Sequence, residues 1–220
     1  MRPFEEEFTL LNDTLQEMGA LVARSVHRSV YALVEKNEDY AHQVIRDESR
    51  IDQMEIQIDD LAASLIVREQ PMARDMRLVV AAIKIDTDLE RMGDLAVEIV
   101  ERSFSLIRQP PFPEVIDFTE IANLVEIMVL RCLEAFAKRD AQIAREVVTS
   151  DDGVDACRKK IKDQLVTIMQ RDPATIPRAL DYLIIVRSLE RIADHATNIA
   201  EDVIFLAQGV DVRHRALEVA

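Results

Sequence analysis

One segment of the sequence recurs 100 residues downstream, and this repetition constrains the fold more than any other feature. Leu-Glu-Arg-Met-Gly-Asp at 89–94 returns as Leu-Glu-Arg-Ile-Ala-Asp at 189–194, and seven of the thirteen positions from 89 onward are identical. Upstream, residues 32–52 align without a gap to 135–155. A fixed period of this kind indicates two copies of one supersecondary unit packed against each other.

Each copy has the pattern of three long helices. Apolar residues recur at steps of three and four over long stretches that lack proline, and proline inside a helix costs about 3 kcal/mol. Asn37 and Asp140 are expected to cap helices, as is Asp172 before Pro173. The sequence therefore predicts an all-α fold of six helices in two tandem three-helix bundles, at 6–35, 38–69, 72–108, 115–138, 141–170 and 174–208.

The proline-rich stretch 109–113 separates the two copies. We therefore expect a first three-helix repeat at 1–109, a second at 114–208 and a frayed tail at 209–220.

Composition excludes several classes of function. The net charge of −14 is opposite to that of a nucleic-acid-binding or anionic-membrane-binding surface. Four glycines and no Gly-x-Gly-x-x-Gly or Gly-x4-Gly-Lys motif argue against a nucleotide-phosphate loop. The longest hydrophobic run is six residues, and Cys132 and Cys157 match no metal or redox spacing. We therefore expect no direct membrane insertion and a reduced, cytoplasmic protein.

Each repeat carries two acid-x-x-x-Asp pairs. Residues at i and i+4 share a helix face, so two neighbouring helices bring four carboxylates together. Further acids at 55, 59, 86 and 98 extend the columns of the first repeat. The candidate metal ligands are Glu48, Asp52, Glu90 and Asp94 in the first repeat, Asp151, Asp155, Glu190 and Asp194 in the second, and Glu101 and Glu201 beside them.

Crowded carboxylates need a positive partner, because each like-charge pair at i,i+4 costs about 0.2–0.5 kcal/mol. Hard cations accept shells made only of oxygen, so iron, manganese or magnesium is expected, with zinc or calcium possible. The alternative is a solvated acidic face without metal. His195 follows Asp194 and is expected to make a local polar contact rather than to ligate metal.

No catalytic residue is predicted. A di-iron oxidase of the ferritin-like class needs Glu-x-x-His, which this sequence lacks, and no Ser/His/Asp or Cys/His set can be assembled from the repeats. Two alternatives to a binding protein nevertheless stay open. One is a carboxylate-bridged metalloenzyme such as a metal-dependent phosphatase, and the other is a structural helical protein without metal.

The two copies of the Leu-Glu-Arg motif resemble the PhoU family of phosphate-transport regulatory proteins of bacteria and archaea. The segment Gln70-Pro-Met-Ala-Arg-Asp-Met-Arg77 is similar to the QPxAxDLR segment of that family, and the acid-x-x-x-Asp pairs match its metal motif. The resemblance covers about residues 10–208. It implies two three-helix bundles, a homodimer, metal clusters on the carboxylate surface, and regulation rather than catalysis.

The resemblance also implies partners. Members of the family are thought to act between the phosphate ABC transporter, through its ATPase subunit PstB, and the sensor histidine kinase PhoR. They damp phosphate uptake and Pho-regulon signalling when phosphate is plentiful.

The second repeat departs from the pattern of the first. Ala193 replaces the glycine of the motif, and four acids of the first repeat's columns have no acidic counterpart. Because affinity for hard cations rises with the charge of the ligands, we expect the first repeat to bind metal more tightly or to hold more ions. The residues that replace Glu55, Asp59, Asp86 and Glu98 are Arg158, Lys162, Val186 and Asn198.

Overall fold

The computed structural model of the protein describes residues 3–72 and 74–212. Within these ranges the chain forms six α-helices and one short 3₁₀ turn, with no β-strand. The expected all-α architecture is confirmed. The helices are α1 (Pro3–Val34), α2 (Glu38–Glu69), α3 (Arg74–Ile107), α4 (Thr119–Lys138), α5 (Ala141–Arg171) and α6 (Ile176–Gln208), with the 3₁₀ turn at Pro173–Thr175.

The predicted caps are in place. The side chain of Asn37 accepts a hydrogen bond from the backbone N–H of Asp39 at 2.9 Å. Asp140 accepts from Gln142 N and Ile143 N. Asp172 accepts from Ala174 N, although the turn that it begins is 3₁₀ and α6 starts only at Ile176. These side chains satisfy backbone donors that a helix start leaves unpaired, which fixes where each helix begins.

The predicted start of α4 at residue 115 is wrong, because the helix begins at Thr119. Asp117 accepts the backbone N–H of Thr119 at 2.9 Å, so a turn replaces the first predicted helical turn. The carbonyl of Val115 is instead bonded by the side chain of Gln164.

The other helix boundaries differ from the predicted ones by three residues or fewer. α1 begins earlier than predicted, and α3 begins at Arg74 rather than at 72. α2 ends where Gln70 takes a left-handed φ of 46° and Pro71 follows. Ala73 of the Gln-Pro segment lies outside the described residues, as do Met1, Arg2 and residues 213–220 of the expected tail. Val212, inside that expected tail, is buried against the core.

The apolar stripes of all six helices meet in one continuous core. α1, α2 and α3 pack against one another, as do α4, α5 and α6. Cys132 and Cys157 are buried free thiols. None of the described helices has a segment long and apolar enough to cross a membrane.

The two bundles meet mainly through α3 and α6, which run antiparallel. A line of polar contacts crosses this apolar interface, and we call it the α3–α6 seam. It satisfies the side chains of Ser188 and Asp202, which are buried. In order along α3, its pairs are Lys84–Asp202, Asp88–Asn198, Glu98–Ser188 and Ser105–Asp181.

The segment that connects the repeats is hydrogen-bonded to α6 and packs against it. The guanidinium of Arg178 donates to the carbonyls of Pro110 and Pro111 at 2.8 and 3.0 Å and lies 5.4 Å from the ring centroid of Phe112. Phe112 also packs edge-on against Tyr182. These two carbonyls lie outside a helix and therefore receive no backbone N–H of a helical turn. The guanidinium of Arg178 supplies the hydrogen-bond donors instead.

Candidate metal-binding surface

The structure places the candidate ligands of each repeat on two packed helices. Both groups lie at the edge of the core, where their carboxylates are partly or largely exposed. The N-terminal cluster consists of Glu48, Asp52, Glu90, Asp94 and Glu101 on α2 and α3. The C-terminal cluster consists of Asp151, Asp155, Glu190, Asp194 and Glu201 on α5 and α6.

Carboxylates from α2 and α3 repel one another across the N-terminal cluster. Burial and the neighbouring charges of Asp52, Asp94 and Glu101 raise the pKa of Glu48. Since Asp94 and Glu101 belong to α3, the predicted meeting of the two columns is supported for these members. A raised carboxyl pKa means that the folded protein disfavours the charged form.

Glu90 is the most perturbed member of the N-terminal cluster. Burial raises its pKa to about 7, the charge of Asp94 adds to this shift, and the guanidinium of Arg91 opposes it. Arg91 lies 3.4 Å from Glu90 and 3.2 Å from Asp94, but its side chain is 55% exposed. One exposed arginine therefore balances only part of the negative charge.

The outer acids of the first repeat's columns lie in different surroundings. Asp86 is 1% exposed, and burial raises its pKa to about 7. Its Oδ1 accepts the backbone N–H of Thr87 at 2.7 Å, while its Oδ2 is buried without a hydrogen-bond partner in the described part of the chain. Glu98 accepts a bond from Ser188 in the α3–α6 seam at 2.6 Å, and Asp59 is exposed.

The C-terminal cluster is also crowded, but a cation lies inside it. Burial and the charges of Asp194 and Asp155 raise the pKa of Asp151. The Nε of Arg158 lies 2.9 Å from Oε1 of Glu190 and 3.4 Å from Oδ1 of Asp155. This guanidinium opposes the upward shift that burial causes in the pKa of Glu190.

Glu201 lies apart from that ion pair. With Asp194 it lines an open cleft of about 800 Å³ between α3 and α6, together with Lys84, Asp88 and Asn198. The predicted inclusion of Glu201 among the ligands stays a prediction.

The donor set of the N-terminal cluster is of the chemical type that hard cations accept. All of its donors are carboxylate oxygens, and burial and mutual repulsion shift the pKa values of Glu48 and Glu90 upward. The side chains are spread along the columns: among residues 3–72 and 74–212, no three Asp, Glu, His or Cys side chains already surround a common point. Closure around an ion would require rotation of these partly exposed side chains.

The sequence did not reveal the contacts that join the repeats near these clusters. His195 makes a polar contact, but with the other repeat rather than locally as expected. Its Nδ1 lies 2.8 Å from Oδ1 of Asp88, and Asn198 donates to the same oxygen at 3.2 Å. Asp88 was not singled out, because periodicity shows which face of a helix is buried but not which helix packs on it.

A family model described as the PhoU domain matches the chain twice, over residues 15–103 and 118–203. The two matches coincide with the two three-helix bundles. Gene duplication and fusion of one unit therefore account for the repeated motif.

Similar proteins cover nearly the whole chain. Proteins named phosphate-specific transport system accessory protein PhoU homolog are 39% identical in Pseudomonas putida and 40% identical in Pseudomonas aeruginosa, over 98% and 97% of this chain and 84% and 89% of those relatives. The crystal structure of PhoU from P. aeruginosa superposes with a TM-score of 0.91 at 38% identity, covering 94% of this chain and 100% of that one. That of the phosphate transport system regulatory protein PhoU from Streptococcus pneumoniae gives 0.86 at 26% identity, covering 95% and 99%. The chain therefore belongs to the PhoU family.

Proposed function

We propose that this protein is a cytoplasmic negative regulator of phosphate uptake and of Pho-regulon signalling. It acts as an adaptor between the ATPase subunit PstB of the phosphate ABC transporter and the sensor histidine kinase PhoR, and it works as a homodimer. The observation that carries the proposal is membership in the PhoU family over both repeats, with relatives named as accessory proteins of phosphate-specific transport.

The proposal is tested by deletion of the gene and by capture of partners. Deletion should derepress phosphate uptake in phosphate-rich medium, and the tagged protein should retain the ATPase subunit and the kinase. Unchanged uptake together with unchanged phosphate-regulated transcription in a clean deletion would refute the regulatory function. Sedimentation analysis of the purified protein tests the dimer.

We further propose that the N-terminal cluster binds a divalent or trivalent metal ion, with iron, manganese and magnesium as the first choices. Glu48, Asp52, Glu90 and Asp94 would hold it, with Glu101 beside them. The ion supplies positive charge that offsets carboxylates whose charged forms are disfavoured by burial and by one another. In this proposal the metal stabilises the folded regulator and has no catalytic step.

Metal binding is tested by Mn²⁺ titration, with free Mn²⁺ followed by electron paramagnetic resonance. Asp52→Asn/Asp94→Asn should abolish Mn²⁺ binding at the N-terminal cluster, because it removes two ligand charges there. Asp155→Asn/Asp194→Asn is the matched control in the other repeat and should leave that binding intact. Equal losses from both double variants would show that ligand charge does not rank the clusters.

A metal-dependent phosphatase is the second candidate, and one observation favours it. Burial and the charge of Asp94 raise the pKa of Glu90 to about 7, a range that suits a general acid–base group at neutral pH. Phosphatase activity should therefore be assayed with Mg²⁺, Mn²⁺ and Fe²⁺ on the wild type and on Glu90→Gln. We expect no turnover from either protein, and turnover that Glu90→Gln abolishes would replace the adaptor proposal with an enzyme.

A further inference from the structure

One of the positions at which the two repeats differ lies between the two helices that carry each cluster. Glu55 on α2 and Arg158 on α5 are equivalent in the repeat alignment, and each follows a cluster aspartate by three residues. Glu55 lies close enough to Asp52 and Asp94 for their negative charges to interact. The first repeat therefore has a third carboxylate at this position. In the second repeat the same position carries a guanidinium.

The guanidinium of Arg158 joins the two helices of its own repeat. Its Nε lies 2.9 Å from Glu190 on α6 and 3.4 Å from Asp155, one turn earlier on α5. A cation shared by the facing columns would have to contact both helices in this way. The side chain of Glu190 is 25% exposed, so this contact is partly shielded from water.

The other arginines beside the clusters do not distinguish the repeats. Arg91 and Arg191 are equivalent in the two copies of the motif. The contacts of Arg91 at 3.4 and 3.2 Å are with Glu90 and Asp94, which lie on the same helix. Arg158 thus places a cation between the two helices of the second repeat. The first repeat has an acid, Glu55, at the equivalent position.

We infer that the guanidinium of Arg158 takes the place of a metal ion in the C-terminal cluster, so that this chain binds metal through its first repeat alone. The inference rests on the proposed metal binding of the N-terminal cluster. An entering divalent ion would meet a like charge at Arg158 and would find Glu190 already paired. A fixed guanidinium also offsets part of the carboxylate charge of the second repeat at every metal concentration, because arginine keeps its charge in proteins.

The test uses the full chain with the N-terminal cluster disabled by Asp52→Asn/Asp94→Asn. In this background, with Arg158 intact, no Mn²⁺ should bind at the C-terminal cluster. Adding Arg158→Gln should create binding of about one Mn²⁺ per chain, because carboxylates without a partner then become available to a hard cation. Far-UV circular dichroism checks that each variant is folded, and Arg158→Met, which retains the aliphatic stem, repeats the test without an amide.

Two controls separate position from charge. Lys159→Gln removes the same charge from an exposed neighbouring position and should create no Mn²⁺ site. Arg158→Lys keeps a cation at the position and should also keep Mn²⁺ out.

The outcomes separate this inference from the proposed function. Mn²⁺ binding to the disabled protein that is lost on Asp155→Asn/Asp194→Asn would overturn the inference, as would folded Arg158→Gln and Arg158→Met variants that bind no Mn²⁺. If the wild type binds no Mn²⁺ but Arg158→Gln does, the proposed metal binding fails while the role of Arg158 stands.

Discussion

Replacement of Asp86 by asparagine should stabilise the metal-free protein at neutral pH and lose that effect in acid. Asp86 is 1% exposed, and its pKa rises from 3.8 to about 7 on folding. Between these values the folded chain binds one proton more than the unfolded chain. Stability is therefore full below about pH 4 and falls by about 1.4 kcal/mol per pH unit until about pH 7.

The magnitude follows from two opposing effects. A shift of about 3 pH units corresponds to a penalty of about 4 kcal/mol above pH 7 in the wild type. Asparagine removes the charge and keeps an oxygen for the N–H of Thr87, but it places an amide where Oδ2 has no partner, which costs about 1–3 kcal/mol. The net gain should be about 1–3 kcal/mol at about pH 8, and near pH 4, where the wild type carries no charge penalty, the cost of the amide remains as a loss of about 1–3 kcal/mol.

The assay is urea unfolding followed by circular dichroism, with chelator present, at several pH values between about 4 and 8. The difference in unfolding free energy between variant and wild type should grow with pH along the stated slope. Asp60→Asn, at an exposed position on α2, is the control and should stay within about 0.5 kcal/mol of wild type throughout. A difference for Asp86→Asn that does not change with pH would refute the reasoning.

Three further perturbations test packing, the connection and the metal. A Cβ at Gly19 would lie 2.5 Å from the side chain of Leu133, which is too close, so Gly19→Ala should lower the free energy of unfolding by about 1–3 kcal/mol in thermal unfolding. A Cβ at Gly153 would lie 3.6 Å from the side chain of Leu124, an ordinary contact distance, so Gly153→Ala should raise it by about 0.5–1 kcal/mol. Arg178→Ala removes the donors to the proline carbonyls and the contact with Phe112, and limited proteolysis should then cut the chain between 109 and 118 faster than in the wild type. Chelation should lower the melting temperature at matched ionic strength, because a ligand that binds only the folded state stabilises it, and an unchanged melting temperature would favour the solvated acidic face.

Local signals in the sequence were sufficient to predict most of the helices. Asn37 and Asp140 cap the helices that they were expected to cap, since an N-cap bond involves only residues two or three positions apart. The start of α4 was missed because Asp117 turns the chain, and because Gln164, from a distant part of the sequence, bonds the carbonyl of Val115. The chain lacks proline from 114 onward until Pro173, and this absence extended the predicted helix across the turn.

The clusters were only partly predictable. Spacing of i+4 put acids on one face of each helix, and the repeat showed which helices share a bundle. The burial of Asp86 depends on how α3 packs in its bundle, and the bond from Ser188 to Glu98 depends on how α3 packs against α6. No local pattern encodes either packing. The contact of Arg158 with Glu190 needed both the repeat offset and the packing of α5 against α6.

The α3–α6 seam also determines which halves can associate. Exchange of the two repeats maps the Asp88–Asn198 pair onto the Ser188–Glu98 pair, so the first repeat supplies the acceptor in both bonds and the second supplies the donor. Two first repeats docked in the same way would set Asp88 against Glu98, two hydrogen-bond acceptors with no donor between them. A separately expressed first repeat should therefore bind the second repeat in preference to another copy of itself, as expected of an interface that is specific for an unlike partner.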